Sequence, residues 1–217
     1  MAYVSRVLLP VGVGKVASAQ NIVSYFVIIA SLGLPTYGVK KIAECFDERE
    51  KRSRTFSELA VINAISTLIC ICVYLGIVLG IDYFEDKLSI SFIVGIQLFA
   101  NIFNIDWFYQ GIEEYRYIMF RSFIVKLLAL ASVFIFVHNV SDFLIYALIV
   151  TLSFVANYIF NVINLHKYVD FQYNSLDVNR HLKPVFVLLA TTIAIEIYTL
   201  TDTTMLSLFR GDEVVGY

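Results

Sequence analysis

The sequence predicts an all-α protein, a polytopic integral membrane helix bundle with six transmembrane helices. Two observations carry that prediction. Of 217 residues, 59% are apolar and only 16% charged, against roughly 25% charged in a typical soluble domain. The apolar residues also gather into six stretches, each near the length of about 20 residues that a hydrocarbon core demands. Net charge is −2, so bulk electrostatics offers nothing to a nucleic acid.

Residues 1–15 hold Arg6, Pro10, Gly12, Gly14 and Lys15. They are too polar and broken to span and lack the apolar run of a signal peptide, so a loop is expected there. Residues 16–34 form the first span, closed by Gly33, Pro35 and Gly38, which punctuate a helix end. Residues 40–54 mix Lys40, Lys41, Arg49, Lys51, Arg52 and Arg54 with four acids, as an amphipathic surface segment does. The second span, 56–81, ends in an acidic turn of Asp82, Glu85 and Asp86.

The third span, 88–109, runs into the densest polar stretch of the chain, residues 101–121, NIFNIDWFYQGIEEYRYIMFR. Its aromatic trio Trp107, Phe108 and Tyr109 is of the kind that sits at a headgroup interface, which puts Asp106 just inside the boundary. Beyond Gly111 come Glu113, Glu114, Arg116 and Arg121 among Tyr115 and Tyr117, so the chain surfaces before diving again. The fourth span is 118–137, and a tight turn at 138–141 leads into the fifth, 142–165. A polar stretch, 166–183, precedes Pro184, well placed near the first turn of the sixth span, 185–209.

Twelve of the sixteen basic residues fall on one side of this arrangement: Lys40, Lys41, Arg49, Lys51, Arg52, Arg54, Arg116, Arg121, Lys126, Lys167, Arg180 and Lys183. Arg6, Lys15, Lys87 and Arg210 fall on the other. The positive-inside rule makes the first side cytoplasmic and places the N-terminus outside. A preceding transmembrane helix is therefore expected upstream. The closing LFRGDEVVGY parallels RVLLPVGVG near the start, as an internal repeat would.

Polar residues inside spans are costly and tend to face the bundle or a water-filled cavity. Gln97, Asn101 and Asn104 fall at i, i+4 and i+7 on the third span, and Ser153, Asn157, Asn161 and Asn164 follow the same pattern on the fifth. Such amide stripes suit sugar hydroxyls, or equally hydrogen bonds between helices. The sixth span carries Thr192, Glu196, Thr199 and Thr203 on one face, with Asp202 one step round. A carboxylate there needs a proton, a cation or a basic partner, so Glu196 and Asp202 are candidate ion-coupling residues or static partners of a base. Arg6 on the outer side, and Arg116, Arg121 and Lys126 on the inner, could meet phosphate oxygens.

Catalytic patterns do not emerge. His138, His166 and His181 are expected in loops without a partnered nucleophile, and Gly14-Lys15 lacks the glycine spacing of a phosphate loop. Cys45, Cys70 and Cys72 suit neither zinc nor a disulfide and are expected to pack as small apolar side chains. No cofactor, no metal and no enzymatic activity are expected.

Three segments carry a family resemblance. The run N-x-F-N-I-D-W-F-Y-Q-G-x-E-x-Y-x-Y from Asn101, SLGLPTYGVKKI at 31–42 and YVSRVLLPVGVG at 3–14 resemble bacterial polysaccharide biosynthesis proteins. These are the O-antigen, or lipid-linked oligosaccharide, flippases of the multidrug/oligosaccharidyl-lipid/polysaccharide exporter superfamily. The match departs at Leu9, Val11 and Val13, where the family commonly has Gly, Glu and Tyr. The resemblance implies two six-helix lobes: residues 1–15 an outward loop after a missing first helix, 16–182 the transmembrane helices of the N-terminal lobe, and 183–217 the truncated first helix of the second lobe.

It also implies a function, the translocation of undecaprenyl-pyrophosphate-linked oligosaccharide across the bacterial cytoplasmic (inner) membrane for O-antigen or capsule synthesis. The expected partners are that lipid-linked oligosaccharide, membrane lipid and a coupling H+ or Na+. Arg6, Asn101, Asn104, Asn157 and Asn161 are the candidate substrate contacts. The alternatives are a multidrug or cation antiporter of the same superfamily and a membrane-embedded polysaccharide polymerase.

Overall fold

The computed structural model describes residues 2–172 and 176–210, with side chains over 3–172 and 176–195. Among the described residues eight α-helices follow one another: α1 (Ala2–Ser31), α2 (Leu34–Ala43), α3 (Arg49–Gly80), α4 (Leu88–Ala100), α5 (Asp106–Gly111), α6 (Tyr115–Phe136), α7 (Phe143–Leu165) and α8 (Asn179–Arg210). Five segments among the described residues are long and apolar enough to cross a membrane: Tyr3–Ala43, Arg49–Gly80, Asp82–Phe103, Tyr115–Phe136 and Val140–Leu165. Helix α8 covers the sixth expected span. In hydrocarbon every backbone polar group must be satisfied within the protein, which is why apolar runs of this length become helices. The chain is a multi-pass helical membrane protein.

Residues 2–15 correct the expected loop: they are helical, in two pieces joined at Leu9, whose φ of 58° and ψ of 168° break the helix just before Pro10. A proline bars its predecessor from the helical region, so the break falls there. Packing keeps both pieces helical in spite of the polar composition. Leu8 is fully buried with Val133 and Val137, the Tyr3 hydroxyl donates to the Val137 carbonyl at 2.9 Å, and Lys15 lies over the Phe143 ring.

The third span corrects a second expectation. Its helix ends at Ala100, passes through a 3-10 turn at Asn101–Phe103 and breaks before restarting as α5. Gln97, Asn101 and Asn104 therefore do not form one helical stripe. Carbonyls freed by the break need donors, and Asn63 on α3 supplies them, its Nδ2 donating to the Asn101 and Ile102 carbonyls at 2.8 and 3.2 Å.

The aromatic trio is likewise corrected, because it is core rather than interfacial. Trp107, Phe108 and Tyr109 are 3%, 0% and 0% exposed and pack with Tyr37, Phe56 and Ile42 in the principal core of the basic end. Phe56 stacks on Trp107 with ring centroids 5.7 Å apart. The approach of α2 to α5 that encloses them requires small residues. A Cβ on Gly38 would sit 2.5 Å from the Trp107 ring, and one on Gly111 would sit 2.7 Å from Ile42. Gly33, at φ 72°, turns the chain between α1 and α2 while the backbone of Leu188 and Leu189 on α8 presses against it. A second core joins α1, α3, α4 and α7 through Val23, Tyr74, Val94 and Ala147.

Helix α6 packs mainly on α7 and leaves Phe123, Leu128 and Ile135 exposed, an apolar face suited to lipid. Cys70 is buried and Cys72 exposed, on opposite sides of α3. Helix α8 starts at Asn179, so Pro184 lies past the first turn that the sequence suggested.

Candidate functional site

The break between α4 and α5 places Asp106 at the start of α5, within reach of α6 and α7. Arg121 on α6 donates through Nη1 to Asp106 Oδ1 at 3.0 Å and also to Asn161 Oδ1 on α7. Asn161 in turn donates through Nδ2 to Asp106 Oδ1 at 2.5 Å. Three helices thus close one triangle of charge and amide. The Arg121 side chain is 5% exposed and that of Asp106 33%, so the ion pair opens on the carboxylate side.

Tyr117 lays its ring 5.9 Å from the guanidinium. The Tyr109 hydroxyl donates to the Asn161 carbonyl at 2.6 Å. Arg121 Nη2 approaches Ser122 Oγ at 3.3 Å, and Ser122 donates to Asn157 Oδ1 at 3.4 Å. Buried Arg121 Nε has no partner among the described residues, which leaves that N–H of the guanidinium spare. Such a pair contributes little net stability once desolvation is counted, yet breaking it strands a buried charge. The cluster can hold a dipolar or anionic group only by exchanging one of these contacts.

A second polar hub lies at the end of α4. Asn101 is fully buried; its Nδ2 donates to Thr67 Oγ1 at 3.1 Å, and its Oδ1 accepts from Asn104 Nδ2 at 3.1 Å and from Ser31 Oγ at 3.5 Å. The Asn101 amide is enclosed and bonded by protein on both its oxygen and its nitrogen, while Asn104 keeps partial exposure.

The third hub was not foreseen. Glu58, on α3, is 0% exposed. Its Oε1 accepts from Arg54 Nε at 3.2 Å and the Asp177 amide at 2.9 Å. Its Oε2 accepts from Arg180 Nη2 at 2.5 Å and His181 Nε2 at 2.8 Å. With Nε2 donating to the carboxylate, His181 Nδ1 is the acceptor for the Tyr37 hydroxyl at 2.8 Å. Burial holds the His181 imidazole below the usual histidine range, against the pull of Glu58. Glu58 also fills the position at the α8 N-terminus where the helix dipole favours an anion. His181, expected in a loop and unpartnered, is therefore a buried member of a network joining α2, α3 and α8. The signal was present: Glu58 is the one Asp, Glu, Lys or Arg within 56–81, and such a residue inside a span is a site candidate by default.

The other expected residues scatter. Asn157 and Asn161 share the face of α7 that meets α6, as the stripe suggested. Arg6 is exposed on the first piece of α1, one turn along from Tyr3, whose hydroxyl reaches the Val137 carbonyl. That position is sixteen residues along α6 from Arg121, about 24 Å at 1.5 Å per residue. Arg6 and the amide clusters therefore occupy opposite ends of the bundle. Arg116 and Lys126 are exposed, as are His138 and His166. The side chains of Glu196 and Asp202 lie outside the described residues.

Over residues 1–217 the chain matches the family described as polysaccharide biosynthesis protein. It belongs to that family. The expectation drawn from residues 3–14, 31–42 and 101–117 thus extends to the whole chain. Among curated polysaccharide biosynthesis relatives, a Shigella dysenteriae protein provisionally named an O-antigen transporter is 26% identical over 229 residues. That match covers 100% of this chain and 55% of the relative, so the chain spans about half the length of the curated relative it matches. No solved structure matches this member of the family.

Proposed function

We propose that the chain is part of a flippase that carries undecaprenyl-pyrophosphate-linked oligosaccharide from the cytoplasmic to the outer leaflet of the bacterial inner membrane, for O-antigen or capsule synthesis. The observation that carries this reading is the family match along the entire chain. The name of the Shigella relative, which refers to O-antigen transport, supports the cargo class. Sugars and a pyrophosphate cannot cross about 30 Å of hydrocarbon unaided. A polar cavity between two rocking lobes shelters them while the lipid tail stays in the bilayer.

Residues 16–182 supply helices of one lobe in this scheme, and 183–217 begin the other. Asn104, Asn157 and Asp106 retain exposure and are placed to exchange hydrogen bonds with cargo. Asn101, Asn161 and Arg121 hold the geometry, and Arg6 acts at the opposite mouth. Glu196 and Asp202 couple the cycle to H+ or Na+. Glu196→Gln is then expected to abolish the pH or sodium dependence of export, and export with unchanged ion dependence would remove that role.

The test is a strain lacking the parent gene and any redundant copy. Its lipids, analysed by mass spectrometry, should accumulate undecaprenyl pyrophosphate bearing a complete oligosaccharide unit, with surface polysaccharide lost. Normal lipids and normal surface glycan would refute this reading and favour drug export by the same superfamily.

A further inference from the structure

We propose that a cleft at the basic end of the bundle, between the last turns of α2, the start of α3 and the first turn of α8, is a binding site for a phosphate group. The cleft encloses about 530 Å³, room for a diphosphate with its water. Lys40, Lys41 and Arg180 line it, with Tyr37, Thr55 and Glu44 completing the wall. It is separate from the Asp106–Arg121–Asn161 triangle and does not depend on the glycan cargo.

Charge balance favours an anion. Lys40, Lys41 and Arg180 in the wall give three positive charges against Glu44 in the wall and buried Glu58 behind it, an excess of one. Exposed Lys40 has no ion pair among the described residues. Lys41 pairs with Glu44 at 2.5 Å, with both side chains about a third or more exposed, a contact of small weight at that exposure, and its Nζ lies 6.0 Å from the centre of the Tyr37 ring. Arg180 spends Nη2 on buried Glu58 and holds Nε 3.1 Å from the His181 ring, while its side chain stays 45% exposed, so Nη1 is left to face the cleft.

Geometry then selects the ligand. A carboxylate offers two oxygens along one edge, whereas a phosphate presents acceptors in three directions and can meet two ammonium groups and a guanidinium together. The lysines stand at the end of the Tyr3–Ala43 span, the depth at which lipid phosphates lie. Either a lipid headgroup or a soluble phosphate compound supplies that chemistry.

The experiment uses the 217-residue chain in phosphatidylcholine nanodiscs, titrated with inorganic pyrophosphate, beside the double variant Lys40→Gln/Lys41→Gln. Both lysines are at the surface, and an unchanged thermal midpoint of the variant confirms that it folds. Saturable binding that weakens with salt and falls about a hundredfold in the variant, about tenfold for each charge-assisted contact, establishes a soluble phosphate as ligand. In a second arm, phosphatidylglycerol is mixed into the discs and lipid retention is counted by native mass spectrometry. Retention by the wild type and loss from the variant, without pyrophosphate binding, establishes a lipid headgroup. Failure to hold either ligand, or equal binding by the variant, overturns the proposal.

Discussion

Replacing Glu58 with glutamine tests the least expected part of the structure. The carboxylate, 0% exposed, receives Arg54, Arg180, His181 and the Asp177 amide. A carboxamide keeps one accepting oxygen and turns an NH2 toward the other donors. The two arginines, 43% and 45% exposed, recover water, so their loss is discounted. His181, at 2%, cannot. Losing a hydrogen bond to a charged acceptor costs about 1.5–3 kcal/mol, and an orphaned buried donor costs about 1–3. Taken together, about 3 kcal/mol is expected, the lower end of the range for a broken buried pair and a factor of on the order of 100 in a local opening equilibrium. Hydrogen exchange over residues 176–185, compared with α4 as internal reference, reads this directly, since regions open independently of the whole. Protection unchanged in Glu58→Gln would refute the claim that this carboxylate fastens α8 to α2 and α3.

Other perturbations separate the remaining hubs. Asp106→Asn strands the buried Arg121 charge and is expected to cost about 3–5 kcal/mol, with Asp106→Asn/Arg121→Met recovering most of it; equal thermal midpoints for single and double variants would show the pair is uncoupled. Gly38→Ala drives a Cβ against the Trp107 ring and should cost about 1–3 kcal/mol, whereas Gly76→Ala inside α3, with nothing within 4 Å, should hold or slightly raise the midpoint in detergent. Because burial lowers the folded-state pKa of His181, the unfolded chain takes the proton first. Stability from this group is full above about pH 6.5 and declines below it, by at most about 1.4 kcal/mol per pH unit. Midpoints at pH 7.5 and 5.5 should differ more in the wild type than in His181→Gln, and identical differences would dismiss the histidine.

The legible parts of this protein are those carried by composition and period. Six apolar runs locate the helices because hydrocarbon admits little else, and the spacing of Asn157 and Asn161 places both on one face of α7 whatever that face meets. The third span was legible in position and wrong in continuity. Apolar periodicity cannot reveal that Asn63, thirty-eight residues before Asn101, accepts the task of satisfying the carbonyls of a broken helix. Trp107, Phe108 and Tyr109 carry the composition of an interface belt, and only the approach of Gly38 and Gly111 decides that they are enclosed.

The place and membrane character of the long apolar helices follow from the amino-acid order, since each depends on a residue and its neighbours within a few turns; the helical state of residues 2–15 and the break at Asn101–Phe103 do not. Family membership is written there too, in the DWFYQG run and its companions. Which charges meet is another matter. Arg121 finds Asp106 across fifteen residues and a helix break, and Glu58 finds His181 across 123. Pairings at such separations depend on how α5, α7 and α8 dock. Docking is the sum of many small packing contacts, and no single stretch of chain contains it.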